Sequence, residues 1–351
     1  MNSIVMLISI SRIAISCAAS LCMLLPLAAR QAPPFGDSLT WDTGKESPSL
    51  ERLRGKSVMM VFFQDWCGIC NAWSGGLFRQ LGEAYGDDPT VVLIAIKTDG
   101  GSIRDAHGYL ESRTELRHWM VAVDENAAYY RQATGQTKLY HYLWVAPDGS
   151  VAETGKAGRY FGNEPTKRFV LAGVETRPKI RKDAVALMSF APPLSGEFQA
   201  AVKLAENGLF LSALGEASKL SGSGALRDDS ARFRKRIADL VHASVDHHKK
   251  ILKEEAGEYR YLSYRALRGI ERDFGTSAPG VAAREAVAGH SGAGWIAAEE
   301  KAESEYKSIM RRAARADDER AKARIDRALE KLAESHPDTV YGRIAASSGG
   351  S

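Results

Sequence analysis

The chain has 351 residues, of which 44% are apolar and 26% charged, and its formal charge is +4. That length accommodates roughly two domains of about 150 residues each, with the composition of a soluble globular protein. The small basic excess is spread along the chain without a concentrated stripe or a recognition motif, so nucleic acid is excluded as the expected partner.

Residues 13–29 form a run of apolar and small residues, preceded by Arg12 and closed by Leu27-Ala28-Ala29. This layout predicts a secretory signal peptide over residues 1–29 and an exported protein, periplasmic or otherwise extracytoplasmic. The run is short for a membrane span and carries Pro26 near its end; left uncleaved, it would act as a membrane anchor. Residues 31–36 read as an extended leader through Pro33 and Pro34. Residues 57–63 (SVMMVFF) are a continuous apolar run of strand length, as expected for a strand covered on both faces. A helix follows from about Gly68 to Tyr85, then a second buried strand over 90–96 (TVVLIAI). Ser102-Ile103-Arg104-Asp105 reads as a capping box opening a helix to about Glu111. A third strand covers 119–123, and Asp124 is placed to cap the next short helix. A fourth strand over 142–146 turns at Pro147-Asp148-Gly149 into residues 150–153. Asn163 and Pro165 start a closing helix through Val170. Strands alternating with helices and ending in a hairpin predict a mixed central sheet flanked by helices over residues 34–174.

Residues 175–198 read as a linker, with a basic stretch at 179–182 and Ala191-Pro192-Pro193. Residues 199–346 carry almost no strand pattern and predict an all-α domain. Phe233, Ile237, Leu240, Val241, Val245 and Ile251 fall near one helical face. Ala266-Leu267 with Ile270 and Phe274 recurs as Ala328-Leu329 with Leu332 and His336, which suggests stacked helical hairpins of a repeat kind. The glycine-rich stretches at 221–224 and 289–294 are expected as loops, and 347–351 as a disordered tail.

Two of the four cysteines, Cys17 and Cys22, lie in the signal segment, so a processed chain keeps only Cys67 and Cys70. An exported protein meets an oxidising compartment in which spare thiols are a liability. A bridge across so short a loop stabilises little by loop closure, which leaves chemistry as the better reason for the pair. A dithiol that exchanges disulfides needs a nucleophilic thiolate and a resolving partner about one helical turn away. Cys67 falls where the apolar strand gives way to a helix, so free backbone N–H groups and the helix dipole would lower its pKa. Cys70 follows three residues later, able to attack a mixed disulfide at Cys67. Trp66 would cover the site and form an apolar docking surface. No bound cofactor or metal is expected, because a zinc site needs four ligands and the other candidates are isolated histidines.

With these residues in place, residues 34–174 resemble the extracytoplasmic thioredoxin-like reductases of the TlpA/ResA group, over about 140 of the 351 residues. Pro34-Phe35 and Leu50-Glu51-Arg52-Leu53-Arg54-Gly55-Lys56 resemble that family's lead-in. Phe62-Phe63-Gln64-Asp65-Trp66-Cys67-Gly68-Ile69-Cys70 matches its active-site run. Lys97-Thr98-Asp99, Val123-Asp124-Glu125 and Val145-Ala146-Pro147-Asp148-Gly149 match its later landmarks. The resemblance implies an α/β thioredoxin-like fold ahead of the helical-repeat domain. It makes Cys67 the attacking cysteine and Cys70 the resolving one, with Gly68 and Ile69 between them. There are two departures. The family's cis-proline position falls on Tyr140, and a non-proline cis bond costs about 2.5–4 kcal/mol, so the bond before Tyr140 is expected to be trans. The buried Asp that classical thioredoxins carry six residues before the first Cys is Val61 here.

The expected function is disulfide exchange with dithiol or disulfide protein partners. A second reading keeps the α/β unit as a non-catalytic scaffold and gives the work to the helical repeats as a protein-binding module. Peroxidase chemistry fits less well, since the cysteine spacing and Trp66 favour disulfide exchange. His242, Asp246 and His247 share a predicted helix and read as a solvated face rather than a metal site. Residues 299–305 and 311–322 read as exposed helix with i, i+4 ion pairs. His107, His118 and His141 show no partner pattern.

Overall fold

The apolar run 57–63 becomes strand β2 (Ser57–Phe63), buried along its whole length at the centre of a six-stranded sheet in a computed structural model. The structure describes residues 31–36, 38–44, 46–98, 100–125, 127–136, 141–156, 183–220, 224–253, 259–313 and 319–348, with only the backbone of 68–75 and of a few further helical or strand residues. The expected signal segment, Tyr140 and the closing helix over 163–170 lie outside the described residues. Among the described residues no helix is long and apolar enough to cross a membrane.

In chain order the first elements are β1 (Leu39–Trp41), β2, α1 (Gly68–Tyr85), β3 (Val91–Thr98), α2 (Ile103–Glu111), β4 (Trp119–Asp124), α3 (Ala128–Thr134), β5 (His141–Val145) and β6 (Val151–Lys156). The strand order is β1-β4-β3-β2-β5-β6. Strands β2, β3 and β4 are parallel, and β1, β5 and β6 run antiparallel to their neighbours. Alternate side chains of β2 serve opposite faces. Val61 and Phe63 pack with Phe78 and Leu81 of α1 and Tyr109 of α2, while Met60 and Phe62 pack with Tyr129 and Tyr130 of α3. Burial on both faces is why the central strands show no polar alternation.

Local chemistry sets the helix starts. The Ser102 hydroxyl accepts from the Asp105 N–H at 3.2 Å and the Asp105 carboxylate accepts from the Ser102 N–H at 2.7 Å, completing the expected capping box. The Asp124 carboxylate accepts from Ala128 and Tyr130 N–H at 3.0 and 2.8 Å, capping α3 from outside it. The Pro147-Asp148-Gly149 turn joins β5 to β6, with Gly149 at φ +83°. Strand β1 was not foreseen: three residues are too few for a period, and its edge pairing with β4 is held by Trp41 against Phe35, ring centres 5.0 Å apart.

The rest is helical: α4 (Gln199–Glu206), α5 (Phe210–Lys219), α6 (Gly224–Lys253), α7 (Arg260–Phe274), α8 (Ala278–Ala288), α9 (Gly294–Ala313), α10 (Glu319–Ser335) and α11 (Val340–Ser348). No strand occurs among the described residues after Lys156. One apolar core joins α4 to α8 around Phe233, Ile237, Val241 and Val245 of α6; a second joins α9, α10 and α11 around Tyr306, Leu332 and Ala345. The two stretches noted for their similarity form helix hairpins α7–α8 and α10–α11. Gly280 and Gly342 take equivalent places in them, each where a Cβ would collide with backbone. At Gly342 it would lie 1.8 Å from the His336 carbonyl oxygen, whereas at Gly215, inside α5, it would meet nothing within 4 Å. Gly342→Ala is therefore expected to cost about 3 kcal/mol in urea unfolding, while Gly215→Ala stabilises by roughly 0.5–1 kcal/mol.

Three expectations change. Gly224 and Gly294 each open a helix rather than lying wholly in loops, and α11 runs through Ser348, into the stretch expected as a tail. Residues 299–305 are not an exposed face: Glu299 and Glu303 are buried. Glu299 accepts from the Val340 N–H at 3.0 Å, and Glu303 accepts from the Tyr261 hydroxyl at 2.7 Å and from Arg265 at 2.5 Å, so these acids fasten helices to one another. One i, i+4 pair of the expected kind is present, Glu303 with Lys307 at 3.0 Å.

The sheet and the helices form one compact unit over Ala32–Ser351. Within the expected linker, Leu187 and Met188 are buried in the first helical core. Their N–H groups donate to the Glu206 carboxylate at 3.0 and 2.8 Å, and the fully buried Lys56, just ahead of β2, pairs with the same carboxylate. Glu46, in the segment before β2, accepts from the Leu211 and Ser212 N–H groups at 3.0 and 2.7 Å, capping α5 from across the junction. Arg52 bridges Glu46 at 2.8 Å and Asp273 of α7 at 2.5 Å.

Candidate functional site

Strand β2 ends at Phe63 and α1 begins at Gly68, so Cys67 is the residue immediately ahead of the helix. A helix start leaves its first backbone N–H groups unsatisfied and carries the positive end of the dipole, which favours a thiolate there. Cys67 is 8% exposed and Trp66 65% exposed, so the indole projects from the surface beside a nearly covered sulfur. By backbone, Gly68, Ile69 and Cys70 make the first turn of α1, with Cys70 one turn on from Cys67. Their side chains and the expected facing residue Tyr140 lie outside what is described.

The chain ends around Cys67 are fixed by buried polar contacts. The Thr98 hydroxyl, at the end of β3, donates to the Phe63 carbonyl at 3.3 Å. Lys97, itself buried, reaches Asp65 at 3.2 Å and donates to the Gly100 carbonyl at 2.5 Å. Asp65, two residues before Cys67 in a position that reads from sequence as a solvated turn, is half-buried and held by a buried cation. Val61 sits in the aliphatic and aromatic core with Phe63, so the position that holds an acid in classical thioredoxins is apolar.

On the opposite face of the sheet, the hydroxyl of Tyr130 and Nδ1 of His141 are 2.6 Å apart and both residues are buried. His141 opens β5, one residue beyond the Val61–Tyr142 pair. Burial raises the Tyr130 hydroxyl and also raises the Asp124 carboxyl, the latter opposed by the N–H groups it accepts from. Tyr306 of α9 is pushed up to about 12 by burial, with the charges of Arg131 and Asp124 in reach, so the second helical core borders this edge. The sequence pattern missed the Tyr130–His141 pair, because the partners sit on different elements and share no spacing. His107 finds Asp42 at 3.2 Å for the same kind of reason. Of the His242, Asp246 and His247 trio, His247 is partly buried rather than a solvated residue, and among the described residues no group of three metal-ligating side chains forms.

A central β2 flanked by parallel β3 and antiparallel β5, with a dithiol sequence at the start of the helix after β2, is the arrangement that the resemblance predicts. The strand order and the helix that follows β2 give the α/β part a thioredoxin-like fold. No family model matches the chain, and no curated protein matches it. Solved structures similar to this chain include a Bacteroides thetaiotaomicron protein named as a protein disulfide isomerase (19% identity, 44% of this chain and 89% of that one, TM-score 0.36). A Chlorobium tepidum protein named as a thiol:disulfide interchange protein is 21% identical over 42% of this chain and 94% of its own, with a TM-score of 0.33. The thioredoxin domain of a Bacteroides vulgatus thiol-disulfide oxidoreductase is 19% identical over 41% of this chain and 99% of its own, with a TM-score of 0.30.

Proposed function

We propose that the chain is an extracytoplasmic thiol–disulfide oxidoreductase that exchanges disulfides with protein partners through Cys67 and Cys70. The observation that carries this reading is the place of Cys67, directly before α1 at the exit of the central strand. The Cys67 thiolate attacks one sulfur of a substrate disulfide, and the other substrate sulfur leaves as a thiolate that takes up a proton. The Cys70 thiolate then attacks the Cys67 sulfur, releasing the substrate as a dithiol and leaving a Cys67–Cys70 disulfide. Two electrons pass to the substrate, and a partner dithiol restores the pair; run backwards, the same steps oxidise a substrate. The exposed Trp66 offers an apolar contact beside the sulfur, and the signal-like run at 13–29 supports export. The helical part would recruit the partner or hold the protein near one.

The deciding measurement is the rate of Cys67 alkylation against pH, with insulin reduction as the activity assay. Reduced protein is expected to alkylate with a midpoint well below the 8.5 of a free thiol and to precipitate insulin. Cys67→Ser should lose at least about 1000-fold in rate, while Cys70→Ser should accumulate the mixed disulfide. An ordinary thiol midpoint with no insulin reduction would favour the scaffold reading, to which the near-burial of Cys67 also lends weight; Cys67→Ser would then still bind its partner.

A further inference from the structure

We propose that the seam between the Arg52–Arg54 segment and α6 is an oxyanion-binding site, held by Arg54, His247 and His248. Nε of Arg54 and Nε2 of both histidines are buried without a hydrogen-bond partner. Buried polar atoms are nearly always satisfied, and leaving one unpaired costs roughly 1–3 kcal/mol, so three at one seam require an explanation. They belong together. The two imidazole centres are 5.3 Å apart, and the charge of Arg54 acts on both. One phosphate- or sulfate-type group has enough acceptor oxygens for all three, and a guanidinium is suited to it.

His248 is the best-defined member. It is 3% exposed, and its Nδ1 is engaged by the Ser263 hydroxyl of α7 at 3.1 Å. With that hydroxyl donating, the neutral ring carries its proton on Nε2 and presents a donor. Burial first, then the charges of His247 and Arg54, holds His248 down at about 3, while the far edge of Arg54 donates to the Asp148 carbonyl at 2.6 Å and leaves Nε facing the seam. His248 also lines a cleft of about 570 Å³ between the 47–52 segment and α7, whose walls carry Arg52, Arg265, Arg268 and Arg272 against Glu51 and Asp273. All four of these arginines are engaged by carboxylates, Arg52 and Arg272 by Asp273, Arg265 by Glu303 and Arg268 by Glu271, so the unmet donors at this seam are those of Arg54 and the two histidines. A cleft of that volume accommodates a small molecule as well as a free ion.

The test is calorimetric titration and thermal melting of the whole chain at constant ionic strength, with inorganic phosphate, sulfate and glucose 6-phosphate as probes and chloride as control. Saturable phosphate binding is expected, with a melting point raised by about 5 °C at a hundred times Kd. Arg54→Met and His247→Ala should each weaken Kd at least about tenfold; the more exposed His247 serves where a change at Arg54 disturbs the fold. Tighter binding of glucose 6-phosphate than of phosphate assigns the ligand as a phosphorylated small molecule seated in the cleft; equal binding assigns a free ion. Absence of saturable binding by every probe, or full affinity in both variants, overturns the proposal.

Discussion

Glu206→Ala is expected to cost about 3–5 kcal/mol, because it strands a buried cation. Lys56 is 1% exposed, and its ammonium is met by both the Glu206 carboxylate and the Glu206 carbonyl, the latter at 2.9 Å. Burial lowers the Lys56 pKa while Glu206 opposes that drop, so removing the carboxylate leaves desolvation unanswered. The Leu187 and Met188 N–H groups lose their acceptor in the same step. Urea unfolding should show the loss as a lower midpoint at constant slope. Lys56→Met combined with Glu206→Gln should cost much less than Glu206→Ala alone, since the amide oxygen still accepts one N–H and no buried charge remains. A double variant as damaged as Glu206→Ala would mean that the contact is a packing feature rather than an electrostatic one.

Acid should loosen the fold through His248. Its folded pKa is about 3, against about 6.5 when unfolded. Above 6.5 the ring is neutral in both states and contributes no pH dependence. As pH falls from 6.5 towards 3, the unfolded chain takes up a proton that the folded chain refuses, and stability drops by up to about 1.4 kcal/mol for each pH unit. His248→Gln keeps a polar side chain that does not titrate, so its stability curve in chloride buffer should be flatter than that of the wild type over this window. Parallel curves would remove His248 from the account.

The α/β part was legible because its signals are local. The apolar runs 57–63 and 90–96 had only one way to be buried, the Ser102–Asp105 box closes within one turn, and Pro147-Asp148-Gly149 dictates its own bend. What escaped depends on partners distant in sequence. Nothing beside Lys56 announces Glu206, 150 residues away. The Glu299 and Glu303 carboxylates read as solvated because their spacing suits an exposed helix equally well; only the arrival of α7 and α11 buries them. At the site itself, sequence located Cys67 at the strand–helix boundary, but the Lys97–Asp65 clasp follows from how the ends of β2 and β3 converge.

Glu46 closes the start of α5 while Arg52 grips both Glu46 and Asp273, so the helices cannot swing away from the sheet without baring a helix end and unpairing a guanidinium. Sheet and helices should therefore lose their structure in one cooperative step, so that a single urea transition is seen whether it is followed by tryptophan emission or by helical circular dichroism.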